Sequence, residues 1–152
     1  MSDAAREWTE RVDGLNCKFD GLRSDLGKEL YRVAPLATAT LYLERNQSYR
    51  GYCVLILDRH IARVDQLSRD EWLEVAGDLY RAQSAIWKVC SPAHVNIASL
   101  GNVVPHLHWH LIPRYLDDPR WGSPIWPAEG TPVVTLPESE YDELAARIRA
   151  EL

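Results

Sequence analysis

Three of the five histidines in this 152-residue chain, His106, His108 and His110, stand at alternate positions in the run HLHWHLI. A β-strand turns successive side chains to opposite faces, so this spacing sends the three imidazoles to one face and Leu107, Trp109 and Leu111 to the other. The rings then stand roughly 6 to 7 Å apart. Two kinds of chemistry suit such a row. Alternate histidines can reach one zinc ion, with a further ligand completing the site, but no Glu, Asp or Cys is spaced nearby as an obvious ligand or base. Alternatively the histidines act themselves. An imidazole titrates near neutrality, so one ring can attack as the neutral base while a neighbour donates a proton. A histidine nucleophile suits phosphorus, where the nitrogen–phosphorus bond forms readily and is later hydrolysed. Three unrelated histidines are the remaining reading, and the regular spacing argues against it.

The loop before this run supports phosphorus chemistry. Gly101 lets backbone pass close to a ligand, and Asn102 and Asn96 carry amide hydrogens suited to non-bridging oxygens. Pro105 sets an extended entry to a strand expected over His106 to Ile112, and Pro113 is expected to close it.

The elements that must position these residues follow from pattern. Thr38 to Leu43 roughly alternates, Arg45 to Arg50 is polar, and Gly51 opens the apolar run YCVLIL ending at Asp58. Two strands joined by a tight turn fit this pattern, with Asn46, Ser48 and Gly51 in the turn. Ser68 followed by Glu71 has the form of a capping box. Trp72, Val75, Ala76, Leu79, Ile86 and Val89 then recur at helical spacing, which predicts a long amphipathic helix from about Arg69 to Val89, ended by Pro92. His94 to Ser99 reads as a short strand. A final helix from about Ser139 to Leu152 places Tyr141, Leu144, Ala145 and Ile148 on one face. Isolated apolar anchors in the first 33 residues (Trp8, Leu22, Leu26, Leu30) suggest one or two short helices. The sum is an α+β arrangement with an antiparallel sheet.

Composition bounds the class. The length suits a single domain over residues 1–152, and 46% hydrophobic with 26% charged residues is ordinary globular usage. No apolar stretch is long enough to span a bilayer, and the start, MSDAAREWTE, lacks the basic-then-apolar order of a signal peptide. Cys17, Cys53 and Cys90 form no CxxC pair and read as buried small hydrophobes in a reducing compartment, so a cytoplasmic protein is expected. A formal charge of −5 works against wrapping a nucleic acid polymer. It does not exclude a small phosphorylated ligand held by a few local donors.

The run His106-Leu107-His108-Trp109-His110-Leu111-Ile112 is similar to the histidine triad pattern, His-apolar-His-apolar-His-apolar-apolar, of the HIT superfamily. Asn96-Ile97-Ala98 and the Gly101-Asn102 turn stand where that family has its asparagine strand and glycine-containing loop. Gly51 to Ile56 looks like the strand before them. With Asp118, Trp121 and Pro124-Ile125-Trp126, the pattern resembles a bacterial branch similar to diadenosine tetraphosphate hydrolases. The resemblance spans about residues 36 to 127. It implies a five-stranded antiparallel sheet with one long central helix and a short C-terminal helix, joined across a homodimer into one sheet. It also implies a nucleotide substrate attacked at its α-phosphate by His108. The carbonyl of His106 would hold the tautomer of His108, His110 would bind phosphate or assist the leaving group, and Glu44 would take the ribose hydroxyls. Asn96 would sit near the phosphate or the nucleophile.

The chain departs from the family pattern in three places. Tyr52 follows Gly51 where relatives often have a fourth histidine, which leaves it able to hydrogen-bond a phosphate oxygen but not to carry positive charge. Val103 replaces a Ser or Thr, and Asn102 a common Gln, which either weakens protonation of a leaving group or shifts it to backbone and His110. Some relatives bind zinc with two cysteines and two histidines. His60 and His106 match the histidine half, but Cys17 has no CxxC partner, so neither metal nor cofactor is expected. His60 is otherwise expected to pack or cap, and Arg114 either to meet a distal phosphate or to be solvated. A nucleotide-binding sensor with little turnover and a metal-dependent hydrolase are the competing functions.

Overall fold

The computed structural model describes residues 2–15, 17–20 and 28–152. The chain runs α1 (Asp3–Val12), β1 (Leu30–Pro35), β2 (Ala39–Glu44), β3 (Cys53–Leu57), α2 (Arg69–Cys90), β4 (His94–Ala98), β5 (His108–Arg114) and α3 (Glu138–Arg149). The five strands form one antiparallel sheet in the order β1-β2-β3-β5-β4. The long central helix and the short terminal one are both present, as expected. No helix among the described residues is long and apolar enough to cross a membrane.

Period-two alternation sorts the sheet into two faces. Leu41, Leu43, Cys53, Leu55, Trp109 and Leu111 turn to one side and meet Val75, Ala82, Ala85 and Ile86 of α2 and Tyr141, Leu144 and Ile148 of α3. Val54, Ile56 and Ile112 turn to the other, where Tyr49, Tyr52 and Ile125 form a smaller cluster. β3 is buried on both faces, which explains why YCVLIL reads as a continuous apolar run.

The capping box of α2 forms as expected. The Glu71 amide donates to Ser68 Oγ and the Ser68 amide to Glu71 Oε2, satisfying two donors the helix start would otherwise leave unpaired. The helix's core-facing stripe contains one charged residue, Asp78, which is 2% exposed. Its carboxylate accepts from the amides of Ala37 and Thr38 and from Thr38 Oγ1, tying the β1–β2 turn to the helix. In the next turn, Gly51 has φ +89°, and a Cβ there would lie 2.4 Å from Cys90 Sγ. Both the backbone angle and the close approach of α2 require glycine.

Several boundaries differ from the sequence expectation. β1 lies where short helices are expected. A bulge between Arg32 and Ala34 breaks its alternation, so Leu30, Val33 and Ala34 are buried at a spacing that imitates a helix. A helix does form at Asp3–Val12, but it buries no residue. Leu22 and Leu26 lie outside the described residues. The histidine strand begins at His108 rather than His106 and continues through Pro113 to Arg114. Pro113 fits because the β3 ladder has already ended at Leu111, so its missing N–H costs no bond on that side.

Candidate functional site

β5 places His108 and His110 on the sheet face away from α2, where strand period predicts them, with ring centroids 5.1 Å apart. Trp109, between them, packs against Trp72 on the opposite face. A cavity of about 360 Å³ opens over the two imidazoles, and Phe19, Leu30, Glu44, Gly101, Asn102 and Trp126 contribute to its walls. The expected residues His108, His110, Glu44, Gly101 and Asn102 thus meet in one place. Gly101 has φ +73°, and the place of its missing Cβ is open space.

Each imidazole has a partner that fixes its orientation. His108 Nδ1–H donates to the carbonyl of His106 at 2.6 Å, which leaves Nε2 as the lone-pair nitrogen. Phe19 stands edge-on to this ring at 5.2 Å. Burial pushes the His108 pKa down, partly opposed by that hydrogen bond. His110 is pushed down to about 4, first by burial and then by the neighbouring His108. Its Nδ1 lies 2.7 Å from the Tyr52 hydroxyl, and Trp126 stands edge-on to its ring at 5.0 Å. Glu44 has its pKa raised, chiefly by burial.

The structure separates three expected residues from this cavity. His106 precedes the strand, is 2% exposed, and does not join the row. Its Nε2–H donates to the carbonyl of Leu57 at 2.7 Å, because the chain enters β5 by crossing the end of β3. Tyr52 sits behind His110, with its hydroxyl engaged there. Asn96 lines a neighbouring cavity with Ile112, Arg114 and Trp121, and its Oδ1 accepts from Arg114 Nη1 at 2.7 Å. Arg114 is itself neither solvated nor facing the histidines: it is 2% exposed and also bonds Asp118 and the carbonyls of Ser123 and Arg120.

His106 belongs instead to a second cluster. Its Nδ1 lies 3.3 Å from Asp20 Oδ1 and 3.5 Å from Cys17 Sγ. His60 Nε2–H donates to the carbonyl of Val12 at 3.0 Å. Among the described residues its buried Nδ1 has no hydrogen-bond partner, although Asp20 Oδ2 is only 2.5 Å away. A lone pair facing a carboxylate oxygen at that distance is repulsive unless a proton or cation lies between them. One ligand atom from each of Cys17, Asp20, His60 and His106 lies within 4.8 Å of the others. Both histidines spend their other nitrogen on a backbone carbonyl, as metal-bound histidines do. A nitrogen, sulfur and carboxylate donor set fits zinc. Bound there, a cation would pin the segment Cys17–Asp20 to the entry of β5. The sequence expectation of no metal rested on Cys17 having no CxxC partner; the fold adds Asp20, three residues after Cys17, as a further candidate donor beside it. Phe19, the chain's one phenylalanine, was also missed, since the first 30 residues fall outside the resemblance.

A five-stranded antiparallel sheet with one long helix behind it and paired imidazoles on its open face defines an α+β protein built around a histidine strand. The profile of the HIT domain family matches residues 33–117, more than half of the chain, and the protein belongs to this family. No match was found among curated protein sequences. Among solved structures, a histidine triad protein from Sinorhizobium meliloti 1021 superposes with a TM-score of 0.76 at 26% identity, covering 86% of this chain and 96% of that one. Histidine triad proteins from Bradyrhizobium japonicum and Marinobacter aquaeolei VT8 each give 0.75 at 22% identity, covering 86% of this chain and 96% and 94% of theirs. Family membership supports a nucleotide-handling enzyme in the broad sense.

Proposed function

We propose that this protein is a nucleotide hydrolase or nucleotidyl transferase that works through a covalent nucleotidyl-His108 intermediate. One observation carries the reading: the His106 carbonyl holds the proton of His108 on Nδ1, which frees Nε2 to attack. The nucleoside occupies the cavity, with Glu44 placed to accept hydrogen bonds from the ribose hydroxyls and the Gly101-Asn102 loop beside the phosphates. The Nε2 lone pair forms a bond to the α-phosphorus, and the bond to the leaving group breaks with its electron pair going to that group. Water then attacks the phosphorus and releases one proton to solvent, the pair of the nitrogen–phosphorus bond returns to Nε2, and nucleoside monophosphate leaves. Dinucleoside polyphosphates and nucleoside phosphoramidates share this α-phosphate and are the substrate classes it admits, as in the diadenosine tetraphosphate hydrolase-like branch.

A homodimer accompanies this reading. Among the described residues β4 is a sheet edge with one side unpaired, and Ile97 on it is 44% exposed. On α2, Leu73, Tyr80 and Trp87 are exposed at seven-residue intervals, an apolar seam that water does not favour. A second copy covering both features would pair the edges and extend the sheet.

Intact-protein mass spectrometry after rapid, acid-free quenching with diadenosine tetraphosphate tests the chemistry. The wild type is expected to gain one nucleoside monophosphate, and His108→Ala is expected to gain none. A folded wild type that binds nucleotide yet yields neither adduct nor product would favour the sensor reading, which the exposed hydrocarbon of Val103 also suits.

A further inference from the structure

Tyr52 is buried on the open face of the sheet, just ahead of Val54, the residue that pairs with His110 across β3 and β5. Among the described residues, the hydrogen-bond partner of its hydroxyl is His110 Nδ1. A buried phenol carries one proton that must be donated or left unsatisfied, and an unsatisfied buried donor costs about 1–3 kcal/mol. Burial pushes the Tyr52 pKa further up, so the group remains a donor. If His110 carried its proton on Nδ1, that N–H would donate to the phenol oxygen across 2.7 Å, and the buried phenol proton would be left without an acceptor.

We infer that Tyr52 is a positioning residue that fixes His110 as the Nε2–H tautomer, so that His110 meets the substrate as a neutral hydrogen-bond donor rather than as a proton-giving acid. Two adjacent imidazoles on one strand thereby receive opposite tautomers from opposite partners. A carbonyl acceptor behind His108 exposes a lone pair, and a hydroxyl donor behind His110 exposes an N–H. The histidine that relatives often carry at the Tyr52 position can become a cation, which a protonated phenol cannot.

The consequence, which rests on the function proposed above, is a preference among leaving groups. A neutral N–H stabilises charge on a phosphoryl oxygen but gives up its proton poorly. A polyphosphate leaves with the bonding pair as a stable anion and needs no proton. An amine leaving from a phosphoramidate needs one as the phosphorus–nitrogen bond breaks. Polyphosphate conjugates are therefore the favoured class, by a factor on the order of 100, the lower end of what general acid catalysis contributes.

Two measurements on the full chain test this separately. In imidazole nitrogen NMR, wild-type His110 is expected to show Nδ1 as a hydrogen-bonded pyridine-type nitrogen and Nε2 as the protonated one. Tyr52→Phe, which keeps the ring and its packing, is expected to shift Nδ1 toward the value of an unbonded lone pair while leaving His108 unchanged. A proton on wild-type Nδ1, or no response to Tyr52→Phe, overturns the assignment. In the second measurement, wild-type kcat/KM is compared between diadenosine tetraphosphate and adenosine 5′-phosphoramidate. Equal rates, or faster cleavage of the amidate, overturn the leaving-group preference. Turnover of neither substrate, with the NMR result as expected, sinks the proposed enzyme reaction together with that preference and leaves the tautomer assignment standing.

Discussion

Replacing Arg114 with methionine should be among the most destabilising single changes available in this chain. Its guanidinium lies at the end of β5 and bonds Asp118 Oδ2 through Nε at 2.7 Å and Nη2 at 2.5 Å. It also donates to Asn96 Oδ1 at 2.7 Å and to the carbonyls of Ser123 and Arg120 at 2.9 and 2.5 Å. The Arg114 and Asp118 side chains are 3% and 6% exposed, so water cannot replace the lost partner. Methionine keeps most of the stem's volume but leaves a buried carboxylate without its cation, a change that costs about 3–5 kcal/mol. In a chain of this length each kcal/mol moves Tm by about 2–4 °C, so a fall of roughly 6–20 °C is expected. Thermal and urea unfolding at one fixed protein concentration would measure it, since self-association alters apparent stability. The double variant Arg114→Met with Asp118→Asn is the control: neutralising the orphaned carboxylate should recover a substantial part of the loss, giving a non-additive cycle. A single-variant cost below about 1 kcal/mol, the range of exposed ion pairs, would refute the reasoning.

Three other outcomes follow from the same geometry. His110 has a folded-state pKa near 4 against about 6.5 when unfolded, so between those values the unfolded chain takes up a proton the folded chain refuses. Stability from this group is complete above pH 6.5 and falls as pH drops toward 4, by up to about 3 kcal/mol; urea midpoints at pH 7 and 4.5 should diverge more in wild type than in His110→Asn, and equal divergence would contradict the burial argument. Zinc should bind once per chain, measured by elemental analysis after dialysis, and Asp20→Ala should weaken it by at least the roughly tenfold lost when a supporting residue of a metal site is removed; undiminished binding in that variant would remove Asp20 from the ligand set. The wild type should sediment with the mass of two chains and Tyr80→Arg with Trp87→Glu with the mass of one, whereas a monomeric wild type would deny the α2 and β4 seam a partner copy.

Much of this was legible in the sequence because it is local. The capping box Ser68–Glu71 and the stripe of α2 depend on residues three or four apart, and the shared face of His108 and His110 on a repeat of two. Backbone geometry translates such spacings directly into position. β1 escaped because its bulge converts a strand's burial pattern into Leu30, Val33 and Ala34, which reads as a helix face. His106 left the row because the strand's start is set by where β3 ends, and nothing in HLHWHLI encodes that. The decisive partners of the site are remote in the chain: Tyr52 lies 58 residues from His110, and Cys17 lies 89 from His106. Sequence determined which residues carry lone pairs, protons and charge. Only the tertiary structure decided which ones face each other, because burial and strand order fix those pairings after the local elements have formed.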